Sequence, residues 1–171
     1  AWARLEPVLR EPPGIEDRGG RDAIAPGPLR FEGVGFAYPG QSASALDEVT
    51  IELAPGRTLG VVGPTGAGKS TMLNLLLRHY TPDAGRITWG GEPLDAYRLA
   101  ALRAAIAWVP QESFLFSASI AQNIALAKAD ATREQVEQAA RLADLHHDVR
   151  RFADGYDTLV GERGVTLSGG Q

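Results

Sequence analysis

The chain has 171 residues, 44% of them apolar, with a formal net charge of −4 and a pI near 5.4, a size that suits one domain with a real core and leaves two cramped. An acidic balance without any local Lys/Arg cluster excludes nucleic acid as an expected partner, and the lack of cysteine excludes disulfides and thiolate metal sites. No signal-peptide pattern is visible, and no apolar run approaches the length of about 20 residues that crosses a bilayer, so these residues are not expected to span a membrane.

Residues 1–28 stand apart in composition, with Pro7, Pro12, Pro13, Pro26 and Pro28 interleaved with glycine and charge, and they read as a linker. Trp2, Leu5 and Leu9 have helical spacing, so the linker is expected to begin as the tail of a helix that Pro7 ends or kinks. From Leu29 the pattern becomes globular. Leu29–Tyr38 and Val49–Leu53 read as strands, and Thr58–Val62 as a short buried strand. Ser70–Tyr80 follows as a largely buried helix carrying Met72, Leu73, Leu75, Leu76 and Leu77. Gly85–Trp89 is a further strand before the Gly90-Gly91 turn, Leu94–Ala105 a helix, and Ile106–Val109 a buried strand ended by Pro110. This alternation predicts an α/β layer.

Beyond Gln111 the pattern is helical. Ser119–Ala127 is one candidate helix, and Thr132 opens another with Gln135 three residues later, a capping box. Nothing strand-like recurs until Asp157, and no internal repeat is present.

The segment Gly63-Pro64-Thr65-Gly66-Ala67-Gly68-Lys69-Ser70 matches the G-x-x-x-x-G-K-S phosphate-binding pattern at every fixed position, between an apolar run and a helical one. Glycine at 63, 66 and 68 lets the backbone turn tightly and bring N–H groups up to phosphate oxygens. The helix that follows directs its positive end at the same anion. Lys69 is placed for the β- and γ-phosphates, the Ser70 hydroxyl for a bridging Mg2+, and the Thr71 hydroxyl for the α-phosphate. These residues predict a nucleotide binder.

Leu167-Ser168-Gly169-Gly170-Gln171 narrows the reading. With this LSGGQ signature, the chain resembles the ATP-binding cassette ATPases over essentially its whole length. The order of elements agrees: an adenine-stacking aromatic at Tyr38 in Phe36-Ala37-Tyr38-Pro39-Gly40, the phosphate loop, a glutamine loop at Gln111 in Val109-Pro110-Gln111, then the signature. The resemblance implies an α/β P-loop NTPase fold with a RecA-like core, an antiparallel β subdomain and a helical subdomain, incomplete at the C-terminus. It divides the chain into a linker at 1–28 after an absent transmembrane domain, the β subdomain and first part of the core at 29–111, and the helical subdomain at 112–171. Tyr38 is expected to stack on adenine, Gly63 through Thr71 to hold the phosphates, and Ser70 and Gln111 to contact Mg2+. Leu167 to Gln171 are expected to bind the γ-phosphate of ATP held by a second subunit.

Several segments are similar to the exporter branch of that family. They are Ala3-Arg4-Leu5-Glu6 at the junction, Phe114-Leu115-Phe116-Ser117 with Ile120 and Asn123-Ile124 after Gln111, and Thr158 to Gly164 before the signature. Arg78-His79-Tyr80, Asn123-Ile124-Ala125-Leu126 and Gly155-Tyr156-Asp157-Thr158 look like bacterial multidrug-resistance-like half-transporters. The resemblance then implies a cytosolic ATPase domain at the cytoplasmic face of the bacterial inner membrane. Its partners would be a transmembrane domain of the same polypeptide and a second nucleotide-binding domain, in a homodimer or, favoured by the half-transporter likeness, a heterodimer.

No catalytic residue is assigned within 1–171. Asp47-Glu48 superficially resembles the Mg2+ carboxylate and general base, but it precedes the phosphate loop and follows no long apolar run. Those carboxylates and further strands are expected after Gln171, so these residues alone are expected to bind ATP weakly and not to hydrolyse it. His79, His146 and His147 read as surface or packing histidines. Two alternatives stay open: an ATP-gated module that does not hydrolyse, and a soluble ATPase of DNA maintenance. The 55 residues from 112 to 166 leave no room for the coiled-coil arms of the latter.

Overall fold

The computed structural model describes residues 14–111 and 114–161, together with Trp2, Glu6 and Arg10, which are helical. Leu5 and Leu9 of the expected linker helix, Pro7, Pro12, Pro13, the Ala3-Arg4-Leu5 junction, Glu162 to Gly164 and the signature Leu167–Gln171 lie outside the described residues. The chain forms two compact units, Ala1–Trp108 and Val109–Gln171.

The first unit is built on an antiparallel sheet of β1 (Leu29–Phe36), β2 (Leu46–Leu53), β3 (Ala84–Trp89) and β4 (Glu92–Pro93), in the order β2-β1-β3-β4. Central β1 pairs Phe31 with Ile51 on one side and with Ile87 on the other. An irregularity at Gly33 (φ 59°) shifts its register. The shift has a packing consequence. Phe31 is buried in odd phase and Val34 and Phe36 in even phase, so one extra residue keeps all three on the core face. Helix α1 (Lys69–Leu76) and helix α2 (Leu99–Ala104) cover that face. Leu75 and Leu102 join Phe31, Val34, Phe36, Leu46, Ile87, Leu94 and Tyr97 in one core.

Four expected elements differ in the structure. Thr58–Val62 and Ile106–Val109 are not strands. Val62 is 93% and Val109 89% exposed. A buried strand needs neighbours to take its amides and layers to cover both faces, and among the described residues nothing pairs with either segment. The sheet of the first unit is antiparallel, in keeping with the antiparallel β subdomain that the family resemblance implies. The helix expected at Leu94–Ala105 is broken: a single 3-10 turn at Leu94–Ala96 gives way to extended Tyr97 and Arg98 before α2 begins. Helix α1 ends four residues earlier than expected, because Arg78 turns left-handed (φ 50°), and its Leu73 faces solvent.

Residues 14–28 lie against this unit. Gly20 and Arg21 donate their amides to Ala96 O, Gly90 N donates to Pro28 O, and Ile24 packs on the core.

The second unit contains α3 (Ile120–Ile124), α4 (Arg133–Leu142) and α5 (His146–Val149), with β5 (Ala118–Ser119) paired to β6 (Leu159–Val160). Ser119 and Thr132 open α3 and α4 with complete capping boxes to Gln122 and Gln135. Ile120, Val136, Ala140, Val149, Tyr156 and Val160 form its core. The two-residue strand β5 has no sequence signal, since so short a segment shows no period.

Candidate functional site

The phosphate-binding pattern lies at the entry to α1. Gly66 (φ 86°) and Gly68 (φ 81°) are both left-handed, the conformation that a side chain disfavours. At Gly66 that is the whole constraint, since a Cβ would meet open space. At Gly68 a Cβ would also collide with the Ala45 carbonyl oxygen and reach Leu46 Cδ2 at 2.7 Å. Gly68 thus lets the start of α1 rest directly on the chain entering β2. Within the loop, Ala67 N donates to Pro64 O at 3.2 Å. Gly63 and Ala67 face each other so closely that a Cβ at 63 would stand 3.0 Å from the Ala67 methyl.

Gly68 is also the helix N-cap, and it supplies no side-chain cap. The N–H groups of the first helical turn, from Lys69 onward, have no intrahelical acceptor. No acidic residue occupies that turn. The contrast with α3 and α4 is chemical. Their capping boxes each take one first-turn amide, that of Gln122 or Gln135, whereas no side chain caps α1. Lys69 folds back over the loop, its Nζ donating to Gly63 O (2.8 Å) and Pro64 O (2.7 Å). Pro64, Thr65 and Ser70 are exposed. An uncapped helix start, two left-handed glycines and an ammonium held over the loop fit a polyanion such as a nucleotide phosphate chain.

Thr71 and Tyr38 are brought together. Their hydroxyls lie 3.1 Å apart, and Asn74 Nδ2 donates to the Tyr38 hydroxyl at 3.3 Å. The Tyr38 ring meets Phe36 and Tyr80 edge-to-face, with centroids 5.0 and 5.2 Å away. Tyr38 is thereby locked to the helix that carries the phosphate loop. Sequence reading did not single out Asn74, although its i, i+3 spacing from Thr71 places both on one helical face.

Gln111 belongs to the second unit and is exposed. Of the exporter-like segment after it, Phe114 and Phe116 are exposed and pack edge-to-face at 5.0 Å. Asn123 staples this segment to α3. Its Oδ1 accepts from Phe116 N (2.9 Å) while its Nδ2 donates to Phe116 O (3.1 Å) and Ser119 O (3.0 Å). His146 shares a 2.7 Å hydrogen bond with the Tyr156 hydroxyl, and Arg133 sits 4.7 Å over that ring. Partial burial lowers the His146 pKa, and the Arg141 charge adds to it. This is a packing role.

Among the described residues, no three His, Asp or Glu side chains converge as a metal site. No described helix is long and apolar enough to cross a membrane.

The family model described as "ABC transporter" matches residues 46–171. The chain is 43% identical, over its whole length and 29% of the relative's, to "Multidrug resistance-like ATP-binding protein MdlA" of Escherichia coli. It is 42% identical to "ATP-dependent lipid A-core flippase" of Chromohalobacter salexigens, over 96% of this chain and 28% of that protein. A solved structure, "Structure of a bacterial Atm1-family ABC exporter with ATP bound", superposes with a TM-score of 0.85 at 38% identity, covering 99% of this chain and 30% of the other. The chain spans less than a third of the length of these proteins. With a phosphate loop at the uncapped start of α1 and a family match running from Leu46 to Gln171, the chain belongs to the ABC transporter family and has its P-loop NTPase fold.

Proposed function

We propose that these residues are the ATP-binding part of an ABC exporter. The observation that carries the reading is the loop Gly63–Ser70. It combines left-handed Gly66 and Gly68, a Lys69 ammonium folded over the loop, and a helix start with neither a side-chain cap nor an acidic residue. Gly63, Pro64, Thr65, Gly66, Ala67, Gly68, Lys69, Ser70 and Thr71 hold the triphosphate, backbone amides and Lys69 offsetting its charge. Tyr38 stacks on adenine. Ser70 and Gln111 are the residues that would hold Mg2+. Bound there, Mg2+ would offset negative charge on the phosphate oxygens.

Leu167, Ser168, Gly169, Gly170 and Gln171 close on nucleotide held by a second such domain, so two copies or two related halves sandwich ATP. The linker at 1–28 joins a transmembrane domain, 29–111 forms the β subdomain with the first part of the core, and 112–171 forms the helical subdomain. The whole protein uses ATP binding and hydrolysis to export a substrate, from the cytoplasmic face of a bacterial inner membrane. No Asp-Glu pair after a long apolar run occurs within 1–171. These residues by themselves therefore hold ATP weakly and do not turn it over.

The test is ATP binding and turnover by the purified chain. Binding of a fluorescent ATP analogue should be measurable and weaken at least tenfold in Lys69→Ala, with no phosphate release above background. Equal affinity in both proteins, or turnover that Lys69→Ala abolishes, overturns the corresponding part.

A further inference from the structure

We propose that Arg103 is a positioning residue for the phosphate loop, and that residues 16–25 form a strap holding the helix on which Arg103 stands. The inference rests on the reading of Gly63–Ser70 as the nucleotide loop. It concerns the opposite end of the same helix.

Helix α1 is eight residues long, about 12 Å at 1.5 Å per residue. A shift at its far end is carried to its loop end. That far end is irregular. Leu77 is the C-cap and Arg78, a non-glycine residue, is left-handed. Local amides take only part of the carbonyl set there, with Leu77 N on Leu73 O, Arg78 N on Leu75 O and His79 N on Asn74 O. Two carbonyls beyond these are taken by one guanidinium from α2: Arg103 Nε donates to Leu77 O (3.0 Å) and Nη2 to Arg78 O (3.2 Å). A planar fork fits two successive carbonyls in a way an ammonium does not, and its charge suits a helix C-terminus.

A six-residue helix such as α2 has little stability of its own. Its own N-cap, Arg98, gives no side-chain cap. The cap comes instead from 82 residues earlier, where Asp17 Oδ1 accepts from Leu99 N at 2.9 Å. The strap that brings Asp17 there is stitched along residues 96–98. Gly20 N and Arg21 N donate to Ala96 O, Arg98 N donates to Arg21 O (2.9 Å), and Arg98 pairs with Asp22 (3.3 Å). Gly19 lies against the Tyr97 carbonyl, where any Cβ would collide. Arg78 Nη2 closes the circuit by donating to Glu16 O at 3.3 Å. Strap, α2 and the far end of α1 thus form one hydrogen-bonded ring.

The experiment is amide hydrogen exchange on the 171-residue chain, wild type and Arg103→Ala, Arg103→Lys, Asp17→Ala and Asp17→Asn. Arg103→Ala should speed exchange of the α1 amides from Met72 to Arg78 about tenfold, the size expected for one to two net hydrogen bonds, with β1 and β2 unchanged. Asp17→Ala should move the same amides in the same direction by a smaller factor. Asp17→Asn, which keeps a capping oxygen, should stay at wild type, and Arg103→Lys should fall between. Asp17→Ala effects confined to residues 14–28 and 92–104 would overturn the strap, and uniform acceleration of the whole sheet in Arg103→Ala would overturn the positioning role. ATP-analogue affinity, expected to weaken several-fold in Arg103→Ala, is the second readout. If wild type and Lys69→Ala bind alike, the nucleotide reading fails, while the exchange data still decide the strap.

Discussion

Gly66 and Gly68 look equivalent in sequence, two fixed or neighbouring glycines of one pattern, yet they carry different constraints. Both need the left-handed backbone, which costs an ordinary residue on the order of 1–2 kcal/mol. Only Gly68 is also pressed against the Ala45 carbonyl and Leu46. Gly66→Ala should therefore lower unfolding free energy by about 1 kcal/mol. Gly68→Ala should lower it by clearly more, because backbone atoms of 45 and 68 must separate. Urea unfolding of the two variants checks the ranking, and equal losses would show that the collision relaxes freely. The need for glycine at these positions was legible from the motif. The second reason at Gly68 was not, because Ala45 lies 23 residues away and nothing local marks it.

At the scale of elements, signals closed within one turn were read correctly from sequence. Thr132 and Gln135 form the reciprocal cap at the start of α4, with Gln135 N on Thr132 Oγ1 at 3.4 Å and Thr132 N on Gln135 Oε1 at 3.1 Å. Thr132→Ala should destabilise the chain by about 1 kcal/mol, seen as a lower urea midpoint with an unchanged slope. Thr132→Ser should restore it. The phosphate-loop helix and the three long strands β1 to β3 were likewise legible, through apolar periodicity and glycine punctuation. The segments Thr58–Val62 and Ile106–Val109 mark the limit of that signal. A run of apolar residues expresses a preference for burial, but becomes a strand only when another strand supplies acceptors and a second layer supplies cover. Helix Leu94–Ala105 failed differently: Tyr97 is drawn fully into the core with its hydroxyl donating to Trp89 O at 2.8 Å, and the backbone straightens to allow it.

At the scale of the molecule, those apolar segments, unpaired among the described residues, have a consequence in solution. Val62 and Val109 are nearly fully exposed, and such surface promotes association. Val62→Lys together with Val109→Lys should reduce concentration-dependent light scattering of the chain. It should change unfolding free energy by no more than about 0.5 kcal/mol, as exposed substitutions usually do. A large loss of stability would mean that the two valines are covered in solution.

The sequence by itself determined the phosphate loop, the Thr132–Gln135 cap, the strands around Gly33 and the family, because each rests on residues a few positions apart or on motifs in fixed order. Only the tertiary structure decided the sheet order β2-β1-β3-β4, the bulge that keeps Phe31 and Val34 on one face, the locking of Tyr38 to Thr71 and Asn74, and the fork of Arg103 under α1. Those contacts join residues tens of positions apart. Which of the many possible distant partners meet is settled by packing the whole unit at once, and no local pattern encodes it.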